Sequence, residues 1–87
     1  KFEKIFEDNF ENFTNEISGI QDWTKNNLEN FILKFLKKKN IKFPIFAKPL
    51  RFLLTKTYDG PSISDIFFIL GKKNSMDRLG HYIIRKE

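Results

Sequence analysis

The chain has 87 residues, a formal net charge of +5 at pH 7 and no cysteine. Its length limits it to one domain, and the lack of cysteine excludes disulfides, thiolate metal sites and a thiol nucleophile. The single histidine, His81, cannot build a histidine metal site, and no apolar run approaches the roughly 20 residues that a membrane span needs.

The charge is distributed unevenly along the chain. Residues 1–30 hold three lysines against seven acids, whereas residues 31–87 hold thirteen lysines and arginines against four acids. A basic half with interleaved aromatic residues suits a polyanionic partner. A solvated lysine-rich surface would have the same composition, so charge alone leaves both interpretations open.

Two amphipathic helices are predicted in the first half. Apolar residues recur every three or four positions in residues 1–18, which indicates a helix with an acidic outer face that includes Glu7. Gly19 is expected to end this helix. The second helix is predicted to begin after the N-cap Thr24 and to end at Asn40, which can adopt the left-handed conformation.

The second half predicts three shorter helices. Pro49 suits the first position of a helix that runs to about Thr55. A turn with Gly and Pro follows, and Ser62 caps a nearly all-apolar helix that Gly71 is expected to stop in the left-handed conformation. Ser75 is expected to cap the last helix. The sequence therefore predicts an all-α fold of about five short helices packed as a compact bundle.

Arg51 is the one charged residue in the predicted third helix. It lies off the apolar stripe, and burying it without a partner would be costly. We therefore expect it to point outward or to form a structural ion pair, with Asp59 and Asp65 as the nearby candidates.

The most specific pattern spans residues 49–79. It reads Pro49-Leu50-Arg51, Leu53-Leu54-Thr55, Gly60-Pro61, Ile69-Leu70-Gly71-Lys72-Lys73 and Met76-Asp77-Arg78-Leu79. This array resembles the C-terminal anticodon-binding domain of bacterial glutamyl-tRNA synthetases, which are class I aminoacyl-tRNA synthetases. Their pattern runs roughly P-L-R-x-A-L-T-G, then a proline turn, then L-L-G-K-E-R-x-L-x-R-L. Lys56 stands where that pattern has Gly, so a backbone with positive φ at this position would be strained.

Catalytic material is missing from the sequence. It contains no Ser/His/Asp order, no metal-ligand cluster and no paired carboxylates in an apolar setting. It also lacks the H-I-G-H-like and K-M-S-K-S stretches of class I synthetases. The resemblance therefore implies an RNA-binding part without activity or cofactor of its own, whose parent enzyme, a glutamate–tRNA ligase, uses ATP and Mg²⁺. Because the first residue is not Met, we expect residues 1–87 to be a single C-terminal domain cut from that longer cytoplasmic synthetase.

The resemblance also implies which residues contact RNA. The contacts to anticodon bases fall on Arg51, Gly60, Pro61 and Ile63. Arg51 offers a planar fork, the turn offers backbone groups to base edges, and Ile63 offers an apolar wall. From charge alone, the contacts to the RNA backbone are expected at Lys48, Lys56, Lys72 and Arg78.

The predicted function is recognition of the anticodon loop of a glutamate-accepting tRNA, with no membrane partner and no DNA expected. Two alternatives remain at this point. One is a freestanding small basic helical protein that binds DNA or RNA, and the other is a protein-interaction module that uses the acidic first helix.

Overall fold

The computed structural model describes residues 2–86, with side chains for residues 2–83. It contains the helices α1 (Lys4–Ile17), α2 (Lys25–Lys39), α3 (Phe43–Thr55) and α4 (Ile63–Lys86), and the described range has no strand. The predicted all-α class is confirmed, and the number of helices is corrected from about five to four. None of these helices has the length and apolar character needed to cross a membrane.

α3 begins earlier than the sequence predicted. It starts at Phe43 with Pro44 in its first turn, and Pro49 lies inside the helix. A proline in the first turn is tolerated because its N–H would have no helical partner there. The six added residues place Phe46 and Ala47 in the core. Their burial offsets the backbone hydrogen bond that Pro49 cannot donate.

α4 consists of two helical stretches that meet in a kink at Gly71, where φ is 83° and ψ is 163°. Gly71 has the expected positive φ, but its ψ is not that of the left-handed helix. Two side chains donate to the carbonyl of Phe67 near the break, Trp23 Nε1 at 2.8 Å and Ser75 Oγ at 3.4 Å. Ser75 is fully buried and lies inside the helical stretch that follows the kink, so it does not cap that stretch as the sequence predicted.

Three of the caps predicted from local sequence are confirmed. Thr24 Oγ1 accepts a hydrogen bond from the backbone N–H of Asn27 at 3.2 Å. Asn40 ends α2 with φ 57° and ψ 44°, which is the left-handed conformation. Ser62 Oγ accepts from the N–H of Asp65 at 3.3 Å at the start of α4. These contacts involve residues within four positions of one another, which is why the sequence alone predicts them.

Phenylalanine dominates the core between the four helices. The fully buried side chains include Phe6, Phe10, Phe13, Phe35, Phe46 and Phe67. Phe13 connects α1 with the three other helices, because its ring lies 5.2 Å from Phe35 in α2, 5.1 Å from Phe46 in α3 and 6.4 Å from Phe67 in α4. Aromatic side chains bury about 150–250 Å² each. This cluster therefore fixes how α3 and α4 lie against each other.

The outer face predicted for α1 needs one correction. Glu7 is half-buried, and its carboxylate accepts a hydrogen bond from the hydroxyl of Tyr82 in α4. Burial of the tyrosine, this hydrogen bond and the negative charge of Glu7 raise the pKa of Tyr82 from 10.0 to about 12. The periodicity of α1 could not predict this contact, because it depends on where α4 packs.

Candidate nucleic-acid interface

The turn between α3 and α4 carries most of the predicted base contacts. Lys56 caps the C-terminus of α3 with φ 68° and ψ 15°. The N–H of Lys56 donates to the carbonyl of Phe52 at 2.7 Å. Positive φ at the position where the family pattern has Gly is therefore confirmed. Gly60 has φ 134°, a backbone conformation that residues other than glycine rarely adopt. Together these residues reverse the chain between the two helices.

Arg51 holds this turn in place. Its guanidinium donates to the carbonyl of Pro61 through Nε at 3.3 Å and Nη2 at 3.1 Å, and to the carbonyl of Tyr58 through Nη1 at 3.4 Å. These bonds use part of the donor set of the guanidinium. The arginine side chain thus ties α3 to both ends of the exposed tip of the turn.

The ion pair considered for Arg51 is replaced by these carbonyl contacts. Asp65 lies 3.6 Å from Lys25 Nζ instead. The carbonyl of Asp59 accepts from Thr57 Oγ1 at 2.8 Å, so this part of the turn has its own internal contact. Carbonyl groups in a tight turn need hydrogen-bond donors, and the guanidinium supplies them from α3. Arg51 therefore has a structural role in the turn.

The other predicted base contacts differ in exposure. Gly60 and Pro61 are exposed at the tip of the turn. Ile63 is only 1% exposed and belongs to the core. Its side chain therefore does not offer the apolar wall that the sequence predicted, because the first turn of α4 packs inward. Only the backbone of Ile63 lies at the turn.

Three of the predicted phosphate contacts differ in whether their ammonium group already binds another part of the protein. Lys48 and Lys56 are exposed on α3 and at its end. Lys72 instead donates to the carbonyl of Ile20 at 2.7 Å, and its Nζ lies 5.9 Å from the centre of the Trp23 ring. This lysine fastens the segment after α1 to α4. We therefore expect a structural role for Lys72 instead of the predicted phosphate contact.

The fourth predicted phosphate contact, Arg78, lies at a recess between α3 and α4. Its Nη1 donates to the carbonyl of Leu54 near the C-terminus of α3, where a cation complements the helix dipole. The recess has a volume of about 330 Å³ and is lined by Leu53, Leu54, Lys56, Arg78, His81 and Tyr82. It therefore extends the basic surface from the turn towards the last part of α4.

An aromatic pair beside the turn was missed by the sequence reasoning. The ring of Tyr58 stacks on that of Phe52, with centroids 4.9 Å apart and planes 18° from parallel. Tyr58 remains 51% exposed. The spacing of Lys48 and Phe52, four residues apart in α3, indicates a shared helix face. The position of Tyr58 could not be predicted from the sequence, because it depends on how the turn folds back onto α3.

Comparison with known proteins gives the chain a family context. The profile of the family described as "Anticodon binding domain" matches residues 4–83. A glutamate–tRNA ligase from Mycoplasma mycoides subsp. mycoides is 31% identical over 67 residues, which are 77% of this chain and 14% of the relative. Glutamate–tRNA ligase 2 from Wolbachia pipientis is 43% identical over 61 residues, covering 70% of this chain and 14% of the relative.

A third relative shows the same proportions. Glutamate–tRNA ligase 2 from Chelativorans sp. is 31% identical over 71 residues, which are 82% of this chain and 15% of the relative. The chain thus spans only about 14–15% of the length of these three curated relatives. No solved structure matches the chain.

Proposed function

Since this chain belongs to the family of anticodon binding domains, we propose that it binds the anticodon loop of a tRNA as part of a longer glutamate–tRNA ligase. The similarity of most of the chain to curated glutamate–tRNA ligases supports this proposal. The tRNA is then a glutamate-accepting one, and the complex forms in the cytoplasm. ATP, Mg²⁺ and the joining of glutamate to tRNA belong to a catalytic domain outside this chain.

The observation that carries the proposal is the turn held by Arg51. Unpaired RNA loops are recognised by hydrogen bonds to splayed-out bases and by stacking on flat groups. The turn presents exposed backbone at Gly60 and Pro61, and Arg51 fixes its shape through the carbonyls of Tyr58 and Pro61. Ordering the turn before RNA arrives lowers the entropy lost on binding.

The charges next to the turn support binding of the RNA backbone. Lys48 and Lys56 are exposed, and Arg78 lies at the neighbouring recess. We assign these three side chains to phosphates, whereas the base edges contact the turn. The family match gives no comparable support to a freestanding DNA- or RNA-binding protein or to an interaction module built on α1.

The test is a binding titration with the full-length protein that contains this chain. Fluorescence anisotropy would measure the Kd for glutamate tRNA and for a variant that differs only in the first two anticodon letters. We expect weaker binding of the variant, by about 1–3 kcal/mol for each lost base contact. Equal affinity for the two tRNAs would contradict anticodon recognition.

The salt dependence provides a second readout of the same interface. Each phosphate contact to a single strand contributes a slope of roughly 0.7 in log K against log salt. Lys56→Gln should lower the slope by about this amount. Lys34→Gln removes another exposed lysine, from α2, and should leave the slope unchanged. Equal effects of the two substitutions would indicate general electrostatic attraction instead of a defined interface.

A further inference from the structure

The stacked pair of Phe52 and Tyr58 forms a flat aromatic surface beside the turn. The ring centroids are 4.9 Å apart and the planes differ by 18°. Phe52 is partly buried on α3 and covers one face of the Tyr58 ring. Since Tyr58 is 51% exposed, the opposite face of its ring is open to a ligand.

The backbone on both sides of Tyr58 is held by specific contacts. Its carbonyl accepts from Arg51 Nη1 at 3.4 Å. Thr57 Oγ1 donates to the carbonyl of Asp59 at 2.8 Å, which closes the tip of the turn. The N–H of Lys56 donates to the carbonyl of Phe52 at 2.7 Å. The ring is therefore oriented before a ligand binds, and little conformational entropy is lost when one stacks on it.

Exposed lysines precede and follow Phe52 in the chain. Lys48 lies four residues before Phe52 in α3, so these two side chains share one face of the helix. Lys56 directly follows α3 in the left-handed conformation and precedes Tyr58 by two residues. The helical rise separates the two lysines by about 12 Å along the axis. An exposed flat ring near two exposed lysines in the chain suits a flat ligand that carries negative charges beside it. An unpaired nucleotide within an RNA strand has this chemistry.

We propose that Phe52 and Tyr58 form a stacking platform for one unpaired base of the bound tRNA loop, with Lys48 and Lys56 contacting the phosphates on either side. This inference rests on the proposed function and adds a second kind of contact to it. Stacking accepts any base because every base has a π-face. The platform therefore contributes affinity, whereas discrimination between anticodons depends on the turn held by Arg51.

The first test compares substitutions at Tyr58 in the full-length protein. Tyr58→Leu should weaken binding of glutamate tRNA by about 5- to 150-fold, the range for loss of one stacked base. Tyr58→Phe keeps the ring and should stay within about 2-fold of the wild type. Both substitutions leave the carbonyl that Arg51 binds. An unchanged Kd for Tyr58→Leu would overturn the platform.

Phe68→Leu is the matched control. Phe68 is also an exposed aromatic residue, 44% exposed, with Lys25 Nζ lying 5.6 Å from its ring centre, but it belongs to the part of α4 before the kink and not to the turn. The platform predicts no change in Kd for this variant. An equal loss of affinity for Phe68→Leu and Tyr58→Leu would overturn the assignment to Tyr58. The tRNA with altered anticodon letters should lose affinity for Tyr58→Leu by the same factor as glutamate tRNA.

The second test uses tRNAs that each carry one abasic nucleotide in the anticodon loop. At the position that stacks, the abasic tRNA should bind wild type and Tyr58→Leu equally, because the lost interaction is the same one. Every other position should preserve the difference between the two proteins. If no position removes it, Tyr58 does not stack on a base, and the inference fails while anticodon binding stands. If wild type binds glutamate tRNA and the altered tRNA equally, the proposed function fails, and the abasic series still decides whether a base stacks here.

Discussion

Replacing Lys56 by glycine should stabilise the fold and weaken RNA binding at the same time. Lys56 ends α3 with φ 68° and ψ 15°. The left-handed conformation costs a residue with a Cβ about 1–2 kcal/mol. Glycine avoids this cost but loses about 0.4–1 kcal/mol through the greater freedom of the unfolded chain. The expected net gain in free energy of unfolding for Lys56→Gly is roughly 0.5–1 kcal/mol.

Thermal unfolding followed by circular dichroism measures this gain. For a domain of this size, 1 kcal/mol corresponds to a shift in Tm of about 4–8 °C, so Lys56→Gly should raise the Tm by about 2–8 °C. Lys56→Ala is the matched control, because it removes the same charge and keeps the Cβ. Urea titration should show a higher midpoint for Lys56→Gly than for the wild type. The m value should not change, because both proteins expose the same surface area when they unfold.

The RNA readout should move in the opposite direction and equally for both variants. Loss of the exposed ammonium should lower the salt slope of tRNA binding by about 0.7. A glycine variant no more stable than the alanine variant would refute the strain at Lys56. If tRNA binding is unaffected in both variants, Lys56 is not a phosphate contact.

Three further predictions concern contacts that the structure revealed. In the 87-residue chain, Tyr58→Phe leaves Tyr82 as the only tyrosine, and its absorbance titration should give a pKa of about 12 that Glu7→Gln lowers. Because folding raises this pKa from 10.0, the contribution of Tyr82 to stability should be complete below pH 10 and be lost as the pH rises through about 12. Lys72→Ala should lower the free energy of unfolding by about 1–2 kcal/mol and leave the Kd for tRNA unchanged, since its ammonium binds the carbonyl of Ile20. Arg51→Lys should lower both stability and discrimination between anticodons.

The parts of the fold that the sequence predicted are those set by neighbours in the chain. Thr24 and Asn40 cap α2 through contacts within four residues, so both caps could be predicted from the sequence. The start of α3 was misplaced because Pro49 is a strong start signal. In the structure, Pro44 takes that role and the burial of Phe46 favours the longer helix. The tertiary packing of Phe46 therefore outweighed the local preference for a helix start at Pro49, and the apolar periodicity of the sequence does not reveal such packing.

The candidate site was predictable in its location but not in the direction of its side chains. The motif placed the turn and Arg51 correctly next to each other, because they are close in sequence. Lys72 was expected to face RNA, yet it binds the carbonyl of Ile20, 52 residues away. Ile63 was expected at the surface, yet it is buried. Both differences come from contacts between distant segments, which the charge or apolarity of one residue cannot reveal.

Arg51 should affect both the stability of the domain and its discrimination between anticodons. The prediction for Arg51→Lys follows from the hydrogen bonds of its guanidinium. Nε and Nη2 both donate to the carbonyl of Pro61, and Nη1 donates to that of Tyr58. A lysine ammonium is a point charge without this planar fork, so it cannot hold both carbonyls in the same way. We expect the free energy of unfolding to fall by about 1 kcal/mol, because the half-exposed contacts are partly replaced by water.

Loosening the turn should also reduce the affinity ratio between glutamate tRNA and the tRNA with altered anticodon letters, because the backbone at the tip would no longer be fixed. Lys48→Gln is the control, since loss of an exposed charge should weaken both tRNAs alike without changing the Tm. If Arg51→Lys lowers the Tm but leaves the ratio unchanged, the arginine serves only the fold. If the ratio falls while the Tm stays the same, the contacts to Pro61 and Tyr58 do not stabilise the domain, and Arg51 acts directly on a base.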